Sequence, residues 1–158
     1  MLSISVEYAL RAMMYLASLD GTPATCETIA ARTQVPQGYL SKVMRGLVCA
    51  DLARSFRGPN GGFCLARAVE SITLLDVVTA VDPVRRIRTC PLRDPLHTHL
   101  CPLHQCLDDA LAQLEGAFRS TSLGAIQAAC QAQGECRALS LLPLSPHAPK
   151  DSADVAQP

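Results

Sequence analysis

The chain has no tryptophan, and aromatic residues make up only 4% of its 158 residues. Its apolar content rests mainly on Ala and Leu, good helix formers that lose little freedom in a helix, so the expected fold is mainly helical. No apolar run approaches the roughly 18 residues that a membrane-spanning helix requires. The opening Met1-Leu2-Ser3-Ile4-Ser5 lacks the basic flank and apolar core of an export signal. The expectation is a soluble cytoplasmic protein with no membrane partner. Net charge is also missing: 14 Lys and Arg balance 14 Asp and Glu, which excludes binding to polyanions through overall charge. By contrast, the 8 cysteines are numerous. Without an export signal they suit reduced thiols, metal ligands or redox sensors better than a disulfide framework.

The distribution of charge says more than the total. Between Arg32 and Arg67 lie Arg32, Lys42, Arg45, Arg54, Arg57 and Arg67, against the single acid Asp51. A local positive field of this kind attracts phosphate, although a basic solvated face would look the same in isolation.

Periodicity supplies the frame. Val6, Leu10, Met13, Met14 and Ala17 recur at helical spacing and predict a first helix from about Ser3 to Leu19, ending near Asp20-Gly21. Thr25 fits the cap of a short second helix reaching Arg32. After a break at Thr33-Gln34-Val35-Pro36, Pro36 suits the first turn of a third helix with Tyr39, Leu40, Val43, Met44 and Leu47 inward. Two extended runs, Leu52 to Arg57 and Gly62 to Arg67, flank Gly58-Pro59-Asn60-Gly61, and Asn-Gly between such runs signals a hairpin. Thr73 and Asp76 resemble a capping box opening a helix from Leu74 to Val81.

The order helix, turn, helix, hairpin predicts a winged helix-turn-helix over residues 1–82. An irregular Cys- and His-containing loop follows over 83–100, then a dimerisation helix and helical segment over 101–139. The Pro-rich stretch 140–158 reads as a disordered tail. In the long helix Leu103, Leu107, Leu111, Leu114 and Phe118 form a narrow stripe, suited to packing on a second copy or back on its own domain.

In a helix-turn-helix the start of the second helix faces base edges in the major groove. Here it carries Gln37, Gly38, Tyr39, Ser41 and Lys42, with Arg45 further along. The wing carries Arg57, Gly58 and Asn60. Lys42 and Arg45 suit phosphates, and Arg57 suits a narrow minor groove. The expected partner is double-stranded DNA.

These residues resemble the Rrf2 family of IscR- and NsrR-like bacterial regulators. The resemblance runs from Met1 to about Ala128 and is strongest at Tyr39-Leu40-Ser41-Lys42-Val43 and along Ser55-Phe56-Arg57-Gly58-Pro59-Asn60-Gly61-Gly62-Phe63-Cys64-Leu65-Ala66-Arg67. Glu7-Tyr8-Ala9-Leu10-Arg11 and Ile72-Thr73-Leu74-Leu75-Asp76-Val77 match as well. It implies a homodimer that represses or activates at a pseudo-palindromic operator, repression being the first expectation, with DNA contacts at Gln37, Ser41, Lys42, Arg57 and Gly58.

Many such regulators sense iron–sulfur, redox or nitric oxide status through a cluster, and others carry none. By resemblance Cys90, Cys101, His104 and Cys106 lie where ligands are held, and Glu7 stands where some members supply an acidic ligand from the partner subunit. The family's middle cysteine is missing, since its slot falls near Pro95-Leu96. A cluster, with two irons favoured over four, is the first expectation; zinc, bare thiols or a small ligand sensed without metal are the alternatives, as is simple packing of these cysteines at the dimer helix. Cys101 at a helix cap shares a face with His104 three residues on, whereas Cys106 is turned away, which ranks Cys106 below Cys90, Cys101 and His104. Cys26, Cys49 and Cys64 are expected to pack in or near the core. An enzyme using Cys101 as nucleophile and His104 as base is disfavoured, because no phosphate loop or catalytic pocket segment accompanies them.

Overall fold

In the computed structural model of the chain, residues 2–58, 61–90 and 99–133 are described. The helices are α1 (Ile4–Ala17), α2 (Cys26–Thr33), α3 (Gln37–Cys49), α4 (Leu74–Val81), α5 (Pro102–Ser120) and α6 (Leu123–Gln133). A hairpin of β1 (Ala53–Phe56) and β2 (Gly62–Leu65) separates α3 from α4. The result is a mainly helical winged helix-turn-helix. No helix among the described residues is long and apolar enough to cross a membrane.

The boundaries follow local hydrogen bonding. Ser3, Thr25 and Thr73 cap α1, α2 and α4 through their side chains. The last is a reciprocal box: the Asp76 N–H donates to Thr73 Oγ1 at 3.1 Å and the Thr73 N–H to Asp76 Oδ2 at 2.9 Å. Each such cap contributes about 0.5–2 kcal/mol. Gln34 takes the left-handed conformation at φ 56 and ends α2. Pro36 then acts as the cap residue of α3 rather than part of its first turn, because its ψ of 126 is not helical.

Met13 and Leu16 of α1, Ile29 of α2, and Leu40, Met44 and Leu47 of α3 are fully buried together. Tyr39, expected in the inward stripe, lies instead at its margin and is 36% exposed. Leu47→Ala is expected to cost 2–5 kcal/mol, roughly what deleting a buried Leu side chain costs when the site collapses only in part. A lower urea midpoint with an unchanged m-value would show it.

The wing is antiparallel, with Ala53 opposite Leu65 and Phe56 opposite Gly62. Its second strand is anchored on the outer edge by reciprocal bonds between Ala24 and Phe63, at 2.9 and 2.8 Å. This close approach explains Gly62, where a Cβ would lie 2.5 Å from the Ala24 carbonyl oxygen. Gly58 has φ +108, accessible to glycine at little cost. Asn60 lies outside the described residues, so the turn it was expected to form is not described; the 140–158 stretch also falls outside.

After the loop, Pro102 occupies the first turn of α5, with Cys101 as the cap residue. The leucine stripe divides. Leu111, Leu114 and Phe118 line a groove of 440 Å³ with Val6 and Val78 of the winged domain, whereas Leu103 and Leu107 are 64% and 47% exposed. The chain then turns back, so that Leu123 of α6 is fully buried in the main core and its N–H donates to the Ile72 carbonyl at 2.8 Å.

Candidate nucleic-acid interface and metal centre

Gln37, Gly38, Ser41, Lys42 and Arg45 are all exposed on α3, and Arg57 and Gly58 are exposed on the wing. The burial of Leu40, Val43, Met44 and Leu47 on the opposite side forces this outward presentation. Tyr39 is committed elsewhere: its ring meets Tyr8 edge-on at 5.4 Å, and its hydroxyl hydrogen-bonds Ser5. It thus braces α3 against α1. Ser41 Oγ donates to the Gln37 carbonyl at 3.2 Å and lies 3.6 Å from Cys26 Sγ, and the residue is exposed on the outer side of α3. Sequence reasoning missed the bracing roles of Ser5 and Tyr8, which no local pattern signals.

Arg11 is 4% exposed within α1. Its Nε donates to Glu7 at 2.9 Å, and a guanidinium nitrogen reaches the Thr33 carbonyl at 3.5 Å. Within one protomer Glu7 is the counter-ion of a buried arginine, with its own side chain 40% exposed, and the metal-ligand group found among the described residues of the single chain does not include it; its expected role was as a ligand to the partner subunit's centre.

That group is Cys90, Cys101 and His104. His104 Nδ1 lies 3.1 Å from Cys101 Sγ and 3.7 Å from Cys90 Sγ, with all three half-buried. The Cys101 thiol makes no capping hydrogen bond, which leaves it available to a ligand at the positive end of the α5 dipole. Two thiols and an imidazole suit a thiophilic cation. Cys106 is exposed and outside the group. Of the other cysteines, Cys26 and Cys64 are half-buried, but Cys49, expected in or near the core, is exposed, because it lies at the C-terminal end of α3, past the inward face.

What brings Cys90 to α5 is a clamp that the sequence did not disclose. Arg86 grips Asp108 with two hydrogen bonds, at 2.7 and 2.6 Å, and reaches Glu115 at 3.4 Å. The Ile87 N–H donates to the same Asp108 carboxylate at 2.9 Å. The Arg86 guanidinium, aided by that N–H, holds the Asp108 carboxyl below the usual carboxylate range against the opposing effect of burial. The only sequence signals were an arginine-containing loop and an acid on α5, neither distinguishable from a solvated surface.

The sequence profile of the Rrf2 family, described as iron-dependent transcriptional regulators, matches residues 2–129. An Aquifex aeolicus protein described as an HTH-type transcriptional regulator is 29% identical over 125 residues, covering 77% of this chain and 87% of its own. A Mycobacterium tuberculosis protein with the same description is 36% identical over 95 residues, 59% of each chain. Among solved structures, T. potens IscR superposes with a TM-score of 0.68 at 24% identity, covering 84% of this chain and 90% of that one. CymR, the global cysteine regulator of B. subtilis, gives 0.67 at 22% identity, covering 82% and 97%.

Proposed function

Given that the chain belongs to the Rrf2 family of transcriptional regulators, we propose that it is a cytoplasmic DNA-binding repressor. In this reading it acts as a homodimer on a pseudo-palindromic operator, and the state of the Cys90, Cys101 and His104 centre sets its affinity. The observation that carries the reading is the outward array of Gln37, Ser41, Lys42 and Arg45 on α3 beside Arg57 of the wing. Lys42, Arg45 and Arg57 can displace counterions from phosphates, while Gln37 and Ser41 offer side-chain hydrogen bonds to base edges.

A centre next to the start of α5 is well placed to report on metal, redox or nitric oxide status, the signals that the family resemblance implies. It adjoins the exposed leucines of α5, so a change of ligation there alters the surface offered to the second protomer. Family and relatives are regulators and not enzymes, so Cys101 and His104 are assigned to sensing and not to turnover.

Selection from a random duplex library, followed by fluorescence anisotropy on the selected site, tests the proposal. A palindromic consensus bound with a steep salt dependence supports it, and absence of any selected sequence overturns it. On the same duplex, Arg57→Ala is expected to weaken binding and to reduce the log–log salt slope by about 2, the loss of one phosphate-proximal charge from each protomer. An unchanged affinity and slope would remove the wing from the interface.

A further inference from the structure

The spacing of the three ligand atoms deepens the sensor reading, on which this inference rests. We propose that Cys90, Cys101 and His104 hold a single four-coordinate divalent ion, zinc or ferrous iron, and that the centre is not built for an iron–sulfur cluster.

All three ligand atoms lie within 4.8 Å of one another. Metal–sulfur bonds of about 2.3 Å and metal–nitrogen bonds of about 2.0–2.1 Å at tetrahedral angles separate S and N by roughly 3.5 Å. The observed separations of 3.1 and 3.7 Å from His104 Nδ1 bracket that value. One ion seated to one side of the plane of the three atoms can reach His104 Nδ1 together with each thiol.

A cluster asks for something else. In a four-iron cluster each iron takes one protein ligand, so the ligands stand at different corners with the inorganic core between them. In a two-iron cluster each iron takes two ligands, so a third must lie beyond the bridging sulfides. Three atoms drawn round one point leave no room for those sulfides.

The donor inventory points the same way. Clusters are held mainly by thiolates, and this centre has two. Residues 91–100 contain no cysteine, and Cys106 stands exposed outside the group. Two thiolates and one imidazole match the ligand set of a zinc site with one open position.

The spacing is built in. The Asp108 carboxylate pins Arg86 and Ile87 to α5, close in the chain to Cys90. On the other side, the helical turn from Cys101 to His104 fixes those two donors relative to each other. The loop is thus held at both ends of the ligand set before any metal arrives.

Binding releases the protons of the two thiols, and the resulting thiolates with neutral imidazole occupy three tetrahedral positions. The fourth position remains for an exchangeable ligand, which gives the sensor its point of entry.

The test uses the full-length protein, stripped of metal and titrated anaerobically with Co²⁺ as the probe. The expected result is one equivalent per protomer, with tetrahedral d–d bands and a thiolate charge-transfer band, both bleached by Zn²⁺. In Cys101→Ser and in His104→Ala, affinity is expected to fall by more than the roughly 10–100-fold typical of losing an outer-shell partner. Metal analysis of protein purified without oxygen should find zinc or iron without acid-labile sulfide, and the element found decides between the two ions. Failure of Co²⁺ to bind overturns the proposal. So does iron with stoichiometric sulfide, whether as purified or after reconstitution. Anisotropy on the selected duplex keeps the two readings apart: one-ion binding that leaves DNA affinity unchanged supports this centre while overturning its role as sensor.

Discussion

Leu107→Glu combined with Leu114→Glu is expected to yield a monomer that no longer binds the operator at concentrations where the native protein is saturated. The two positions are two turns apart on one face of α5, 47% and 36% exposed in the single chain. Leu103, still more exposed at 64%, continues the same stripe. Fully burying a leucine is worth about 1.5–3 kcal/mol, and a two-fold interface counts each position twice. Replacing these side chains by carboxylates removes that gain and sets like charges against each other where the copies would meet.

The consequence for DNA is larger than for assembly. A dimer that places two recognition helices on two half-sites gains about 10²–10⁴ over one half-site through effective concentration, and a monomer forfeits it. Sedimentation equilibrium and anisotropy on the selected duplex would measure the two effects. An unchanged dimer would place the interface elsewhere. Helical content and Co²⁺ binding should survive in the variant, because Leu107 and, at the open side of its groove, Leu114 are both exposed in the single chain and neither side chain is a ligand.

Asp108→Asn is expected to lower metal affinity by roughly 10–100-fold, the range for removing an outer-shell partner, although Asp108 touches no ligand atom. The amide cannot accept two charge-assisted bonds from Arg86 together with the Ile87 N–H, so the loop before Cys90 loses its anchor. Arg86→Lys should behave similarly, since an ammonium cannot reproduce the planar fork. Co²⁺ titration would read the loss, and an affinity equal to the native value would show that Cys90 is placed without the clamp.

The same pair predicts a pH dependence. Burial opposes, but Arg86 outweighs it and keeps the Asp108 carboxyl below its ordinary value in the folded chain. Its contribution to stability is therefore present above the unfolded value of about 3.9 and lost as pH falls through the folded one. The stability difference between the native protein and Asp108→Asn should be constant near neutrality and close below about pH 4, as followed by urea denaturation. A difference that persists at lower pH would mean the ion pair is not its source.

What could be read from the chain alone was whatever is decided within a few residues. The Thr25 and Thr73 caps, the Asp76 half of the capping box, the hydrophobic stripes of α1 and α3, and the Gly-rich hairpin each depend on groups three or four positions apart or on one backbone conformation. The shared face of Cys101 and His104 belongs to the same class, since a helical turn of three residues sets it. The outward display of Lys42 and Arg45 follows from the burial of their neighbours.

The remaining features needed the assembled fold. Arg86 and Asp108 are separated by more than twenty residues, and Asp108 stands beside Asp109, an exposed acid that reads the same in the sequence. Arg11 is buried only because α1 packs against the end of α2. Tyr39 sits at the margin of its stripe because Tyr8 and Ser5 meet it from α1. The return of α6 depends on Leu123 finding the core beside Ile72. Pairings of this kind carry no periodicity and cost chain entropy that only the completed packing repays. The chain thus states the type of each element and the chemistry available to it, while close packing selects which distant side chains meet.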